Sequence, residues 1–87
     1  VENSTETACR ICGYDDSDAL FDEYGVPQYV ICPCCGNESG LGDDSVSQVR
    51  ELRGLWVATG APWAEPGMRP DDWDVLRQLT AVPPQWR

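Results

Sequence analysis

Histidine and lysine are absent from this chain, and methionine and phenylalanine occur once each. Without histidine there is no imidazole general base, no Ser-His or Cys-His nucleophilic pair, and no histidine-containing metal site. Most hydrolase chemistries are thereby excluded. Without lysine, only six basic residues face fifteen aspartates and glutamates, and the formal net charge is −9. Affinity for a phosphate backbone comes from Lys and Arg neutralising phosphates, so nucleic acid is a poor partner for such a surface. Long apolar runs are missing as well, and none approaches the roughly 18 residues that a membrane helix requires. The first residues, Val1 to Thr7, lack the basic start and apolar middle of a secretory signal, which favours a cytoplasmic protein with no membrane role.

The chain has 87 residues, enough for one small domain. Its hydrophobic share of 41% and charged share of 24% are close to globular averages and argue against wholesale disorder. The core must be thin, because a domain of this length buries only about 60 to 65% of the surface of its unfolded chain. Five cysteines offer a staple. They fall in two units, Cys9-Arg10-Ile11-Cys12-Gly13 and Cys32-Pro33-Cys34-Cys35-Gly36, with nineteen residues between Cys12 and Cys32. That spacing is expected of four-thiolate zinc sites. Two cysteines three apart converge on one ion if the backbone turns sharply, and the following glycine lets it turn back without a Cβ clash. Cys9, Cys12, Cys32 and Cys35 are therefore the candidate ligands of one Zn2+, with sulfurs about 2.3 Å from the metal. Cys34 is left over, pointing away or packing as a small apolar residue. An odd cysteine count fits a disulfide framework poorly, although two disulfides or buried free thiols are the alternatives. A closed four-sulfur site has no open position for substrate, so its role is structural. Iron is the alternative metal, because thiolate softness does not separate the two.

Residues 1–8 read as a polar tail and residues 9–87 as a single domain, divided into a ribbon over 9–42 and a helical section over 43–87. Val26 to Cys32 has the β-branched and aromatic content of a strand, with Leu20 to Tyr24 as its partner and Gly25 at the turn. Ser45 and Gln48 form a capping-box pattern that starts a helix over 45–58. Val46, Val49, Leu52 or Arg53, and Trp56 share its inner face, while Arg50, Glu51 and Arg53 can stay wet. Ala61 to Pro70 is an irregular connection, and Asp71 caps a second helix through about Leu79 with Trp73, Leu76 and Leu79 inward. The tail is not expected to be helical beyond Ala81. The resulting fold class is small α+β: a zinc ribbon of two cysteine knuckles with short antiparallel strands, followed by one or two α-helices.

Two resemblances bear on this reading. The segments Cys12-Gly13-Tyr14 and Cys32-Pro33-Cys34-Cys35-Gly36 look like the two knuckles of rubredoxins, which would imply one-iron electron transfer. That likeness ends at the knuckles. The run from Cys9 to Tyr14, the segment Tyr29 to Cys35, the acidic Gly-Asp loop and the Thr59-Gly60-Ala61 helix end resemble the bacterial cysteine-rich proteins named for a Cys-Pro-Cys-Cys motif. The resemblance implies a zinc-ribbon-like metal site and says little about activity. Here Cys-Pro-Cys-Cys stands at the second pair, with Cys-Arg-Ile-Cys at the first.

Four tryptophans remain to be placed. Trp56 fits the inner helix face. Trp63 and Trp73 flank the proline-rich connection and suit either a small core or a partner surface, and Trp86 suits an exposed anchor. With Asp71 and Asp72 they form the candidate partner-binding set. The acidic clusters match no calcium loop and are read as helix caps or as a face for a basic partner. The sequence thus points to a noncatalytic zinc module that binds another protein, of basic character, as an acidic inhibitor or immunity-type protein would. Rubredoxin-like electron transfer, or thiol redox chemistry by Cys34 beside Cys35, is the competing class.

Overall fold

A computed structural model of the chain describes residues 5–87. Its best-defined element is helix α1, Val46–Ala58. Ser45 sits in extended geometry before it, and its Oγ accepts from Gln48 N at 3.2 Å, satisfying one of the otherwise orphaned N–H groups of the first turn. The Gln48 side chain does not complete the expected reciprocal bond to the cap's backbone; its Oε1 accepts from the Ser45 hydroxyl instead. The helix stops where Gly60 takes a positive φ of 98° and Ala61 N donates back to Trp56 O at 2.8 Å. Val49 and Trp56 are buried and Leu52 is half-buried, as the spacing predicts. Arg53, which the spacing allows on either face, turns inward. It is half-buried, because its guanidinium has three backbone carbonyls to bind on the inner side.

The cysteine-bearing section contains no continuous strand among the described residues. It is held by isolated antiparallel bridges, Glu6 with Phe21, Ala8 with Asp15, Phe21 with Pro27, and Ile31 with Glu38. The expected strand over Val26 to Cys32 is broken for two reasons. Pro27 has no N–H to give to a ladder, and Tyr29 adopts a left-handed φ of 55°. Two of its β-branched residues consequently stay at the surface, Val26 at 51% and Ile31 at 60% exposed, while Val30 packs against the core. The turn at Gly25 does form, with Gly25 N donating to Asp22 O and the Asp22 carboxylate accepting from the backbone of Tyr24 and Val26. Of the expected tail, residues 1–4 lie outside the described residues. Glu6 and Ala8 are paired rather than loose: Glu6 N donates to Phe21 O at 2.9 Å and Leu20 N to Glu6 O at 2.8 Å. Polar side chains did not prevent this, since the backbone makes the bridges.

The second helix, α2, is shorter than expected and spans Val75–Leu79. Asp74, not Asp71, caps it by accepting from Leu76 N and Arg77 N, while Asp71 and Asp72 occupy the turn closed by Trp73 N to Pro70 O. This shift turns Leu76 outward, 73% exposed, and leaves Trp73 and Leu79 half-buried against the core. Two 3₁₀ turns, Pro66–Met68 and Pro84–Trp86, appear where no helix is expected. Each begins with proline, whose fixed φ suits a first helical turn and whose missing N–H is not needed there. The core that these pieces enclose is built on the cysteines themselves, together with Ile11, Phe21, Val49, Trp56 and Trp63.

Candidate metal centre

The two knuckles repeat one backbone pattern. In the first, Gly13 N donates to Cys9 O at 2.9 Å and Cys9 N to Tyr14 O at 2.8 Å. In the second, Gly36 N donates to Cys32 O at 2.9 Å and Cys32 N to Asn37 O at 2.9 Å. Gly13 and Gly36 have φ of 84° and 81°, a region in which a Cβ costs about 1–2 kcal/mol. The glycines after each cysteine pair therefore close the loops as the spacing predicts.

This geometry brings Cys9, Cys12, Cys32 and Cys35 together, with all four Sγ atoms within 4.8 Å of one another. Cys9 and Cys35 are 3.6 Å apart at sulfur, as are Cys12 and Cys32. A tetrahedron with metal–sulfur bonds of about 2.3 Å has edges of about 3.8 Å, whereas a disulfide requires about 2.05 Å. The spacing thus fits ligands around an ion, and all five cysteines are free thiols. Their protons are shared unequally. Cys12 is pushed far above the usual thiol range, first by its hydrogen bond with Cys32, and Cys32 is pulled far below it, first by that same bond. A divalent cation would displace these shared protons, since it is bound by thiolates.

Each knuckle is covered by the C-terminal half. Arg53 of α1 donates from Nε to Ile11 O at 2.6 Å, and from Nη2 to Arg10 O at 2.8 Å and Trp86 O at 2.7 Å. Burial, reinforced by Arg50, lowers the Arg53 pKa from its usual value. Arg10 lies between the rings of Phe21 and Trp86, at 3.6 and 3.9 Å from their centroids, and is ion-paired with Glu6. Gln78 of α2 donates to Cys12 O at 3.2 Å and to Cys34 Sγ at 3.1 Å, and accepts from Trp73 Nε1 at 2.7 Å. The second knuckle meets the segment after Trp63, where Ala64 N donates to Cys34 O and Glu65 N to Pro33 O. Cys34 is fully buried, and its sulfur has Gln78 as a polar partner instead of lying only among apolar groups.

The tryptophans are drawn inward to different depths. Trp63 is buried, 7% exposed, in edge-on contact with Tyr14 and with Trp73, both at 5.5 Å between centroids. Its Nε1 is buried without a hydrogen-bond partner among the described residues. Trp73 also meets Trp56 at 6.2 Å, and Trp86 is half-buried over Arg10. Only Asp71 and Asp72 of the candidate partner-binding set are fully at the surface. Arg53 is engaged by carbonyls on the inner side of α1, while the exposed Arg50 donates from Nε to Arg87 O. Sequence reasoning missed the structural roles of Arg10, Arg53 and Gln78. The one available signal was Arg53 at a position of the inner helix face.

Fold and site together define a small, cysteine-rich, two-helix protein whose four clustered thiols are placed to hold one metal ion. Among the described residues no helix is long and apolar enough to cross a membrane. Comparison with protein-family models, curated proteins and solved structures finds no match to this chain.

Proposed function

We propose that the chain is a noncatalytic, zinc-ribbon-like module in which Cys9, Cys12, Cys32 and Cys35 hold one structural zinc ion and whose acidic surface binds another, basic protein. The observation that carries the metal half is the convergence of four sulfurs within 4.8 Å on two knuckles with matching hydrogen bonds. Four protein ligands leave no coordination position for water or substrate, which supports a structural rather than a catalytic ion. Zinc would carry the formal charge from −9 to −11 once four thiols become thiolates, which strengthens the case for a cationic partner. Asp71 and Asp72 are exposed beside the half-buried Trp73 and are the best-placed members of the proposed partner surface. A cytoplasmic setting and membership of the Cys-Pro-Cys-Cys type of protein belong to the same proposal.

Metal content by mass spectrometry, taken together with the visible spectrum of protein purified without a metal-binding tag, tests the first half. One zinc per chain and no colour supports it. One iron with visible absorption moves the reading to electron transfer, and folded protein without metal removes the ligand assignment. Titration of the zinc-loaded protein with a basic model protein at low and high salt tests the second half, and the absence of any salt-sensitive binding would overturn it.

A further inference from the structure

The four candidate ligands are not equally sheltered. Cys9, Cys12 and Cys32 are buried, at 5%, 0% and 3% exposure, while Cys35 is only half-buried and is followed by the exposed Gly36. A groove of about 400 Å³ opens at this corner, between α1 and the second knuckle, and Cys35 lies in its wall with Leu52, Leu55, Trp56 and Thr59. Neither Cys12 nor Cys34 reaches it. Across the centre, the Cys9 sulfur on the other knuckle lies 3.6 Å from that of Cys35. A groove open to solvent, the least buried of the four cysteines and a second sulfur 3.6 Å from its own thus occur together at one edge.

We infer that Cys35 is an oxidation site at which peroxide opens the metal centre, with Cys9 as the resolving thiol. The inference rests on the metal reading above. In the first step the Cys35 thiolate attacks hydrogen peroxide: an S–O bond forms, the O–O bond breaks, and hydroxide leaves, giving a sulfenic acid. In the second, the Cys9 thiolate attacks that sulfur, an S–S bond forms, the S–O bond breaks and a second hydroxide leaves. Two thiolates lose two electrons and peroxide gains them. Only Cys12 and Cys32 would then remain to hold a bound ion, which would be released. Thiol exchange and oxidation depend on access, which is why the reaction begins at Cys35 and not at the other three ligands. Cys34, fully buried and occupied by Gln78, stays reduced in this scheme.

The test uses the full chain loaded with zinc, its metal content fixed by mass spectrometry before a few equivalents of hydrogen peroxide are added. Zinc release is followed with a colorimetric chelator, and the product is digested after arginine. Cleavage after Arg10 separates Cys9 from the other four cysteines, so the expected product joins peptide 1–10 to peptide 11–50, with fragmentation placing the link at Cys35. A link within peptide 11–50, or a link from Cys9 to any other cysteine, overturns the proposal and leaves the metal reading standing. Failure to load zinc at all removes both. Access is tested separately by Leu55→Trp, which places a larger ring at the groove and is expected to slow zinc release about threefold. Leu76→Trp, on the exposed face of α2 and away from the groove, leaves the rate unchanged. Release from the Leu55 variant at the wild-type rate would show that the groove is not the route.

Discussion

The two knuckles have the same backbone and different surroundings. Both close through a glycine at positive φ and the same pair of hydrogen bonds, so their ligand geometry is a local property. Around the first, Arg10, Ile11, Cys12 and Gly13 are all buried beneath Arg53, Gln78 and Trp86. The second is covered over Cys34 and Pro33 by the Ala64–Glu65 backbone, yet its last ligand and glycine face a groove. A short sequence therefore makes a ligand pair, but the packing of distant residues sets which pair meets solvent.

The largest expected effect separates the knuckles at their ligands. Cys12→Ser should abolish tight zinc binding and unfold the cysteine-bearing section, since metal binding in small modules contributes on the order of 10 kcal/mol to folding. Cys35→Ser should bind zinc more weakly but measurably, because water can fill a coordination position at the exposed edge. Competition with a chelator of known affinity measures both, and equal losses would remove the distinction between the two sites. The glycines sharpen it next. A Cβ on Gly13 would stand 2.6 Å from Gln78 O and 3.0 Å from Val82 N, both backbone atoms, while on Gly36 it would meet only the Ala64 side chain at 3.3 Å. Gly13→Ala should therefore cost about 4 kcal/mol, from left-handed strain plus displacement of α2, and Gly36→Ala about 1–2 kcal/mol, from strain with little else. Denaturant unfolding of the zinc-loaded variants gives the two values.

Arg53→Met tests the cover of the first knuckle alone. It removes donors from three carbonyls, and with partial access to water the loss should be about 2–3 kcal/mol, visible as a lower unfolding midpoint. The smallest effect concerns Asp43, which is buried and accepts from Gly40 N. Burial raises its pKa above the ordinary carboxylate value. An acid whose pKa is higher in the folded state favours folding when protonated, so its contribution falls as pH rises from the ordinary value through the raised one. Asp43→Asn should remove that contribution, so that the variant gains stability relative to the wild type as pH rises through that window. Urea midpoints of both proteins across that window, compared at each pH because zinc is also lost in acid, measure the change; parallel profiles would count against it.

Much of the site was legible because its determinants lie close together in the chain. The cysteine spacing and the glycines specify the knuckles, and Ser45 before an apolar period specifies α1. The start of α2 was misplaced because three aspartates, Asp71, Asp72 and Asp74, are all competent caps, and the turn at Pro70 settles which one serves. The strand over 26–32 was overread from its β-branched residues, since propensity for a pleated surface has no effect where no neighbouring layer exists. Trp63, offered as a partner residue, is a buried member of the aromatic row with Tyr14, Trp73 and Trp56. Sequence could not separate these roles, because an aromatic ring suits a core and an interface equally well.

What the sequence determined by itself is the chemistry available: thiolates in two pairs, no imidazole, an excess of carboxylates, and the short-range turns that aim each pair inward. Tertiary structure decided which charges are consumed and which ligand is reachable. Arg10 and Arg53 look like surface charge in the sequence and become internal donors because carbonyls and aromatic rings more than thirty residues away reach them. Cys35 differs from its three partners for the same reason. Its exposure is set by where α1 and the segment after Trp63 come to lie, a matter of long-range packing that no local spacing encodes.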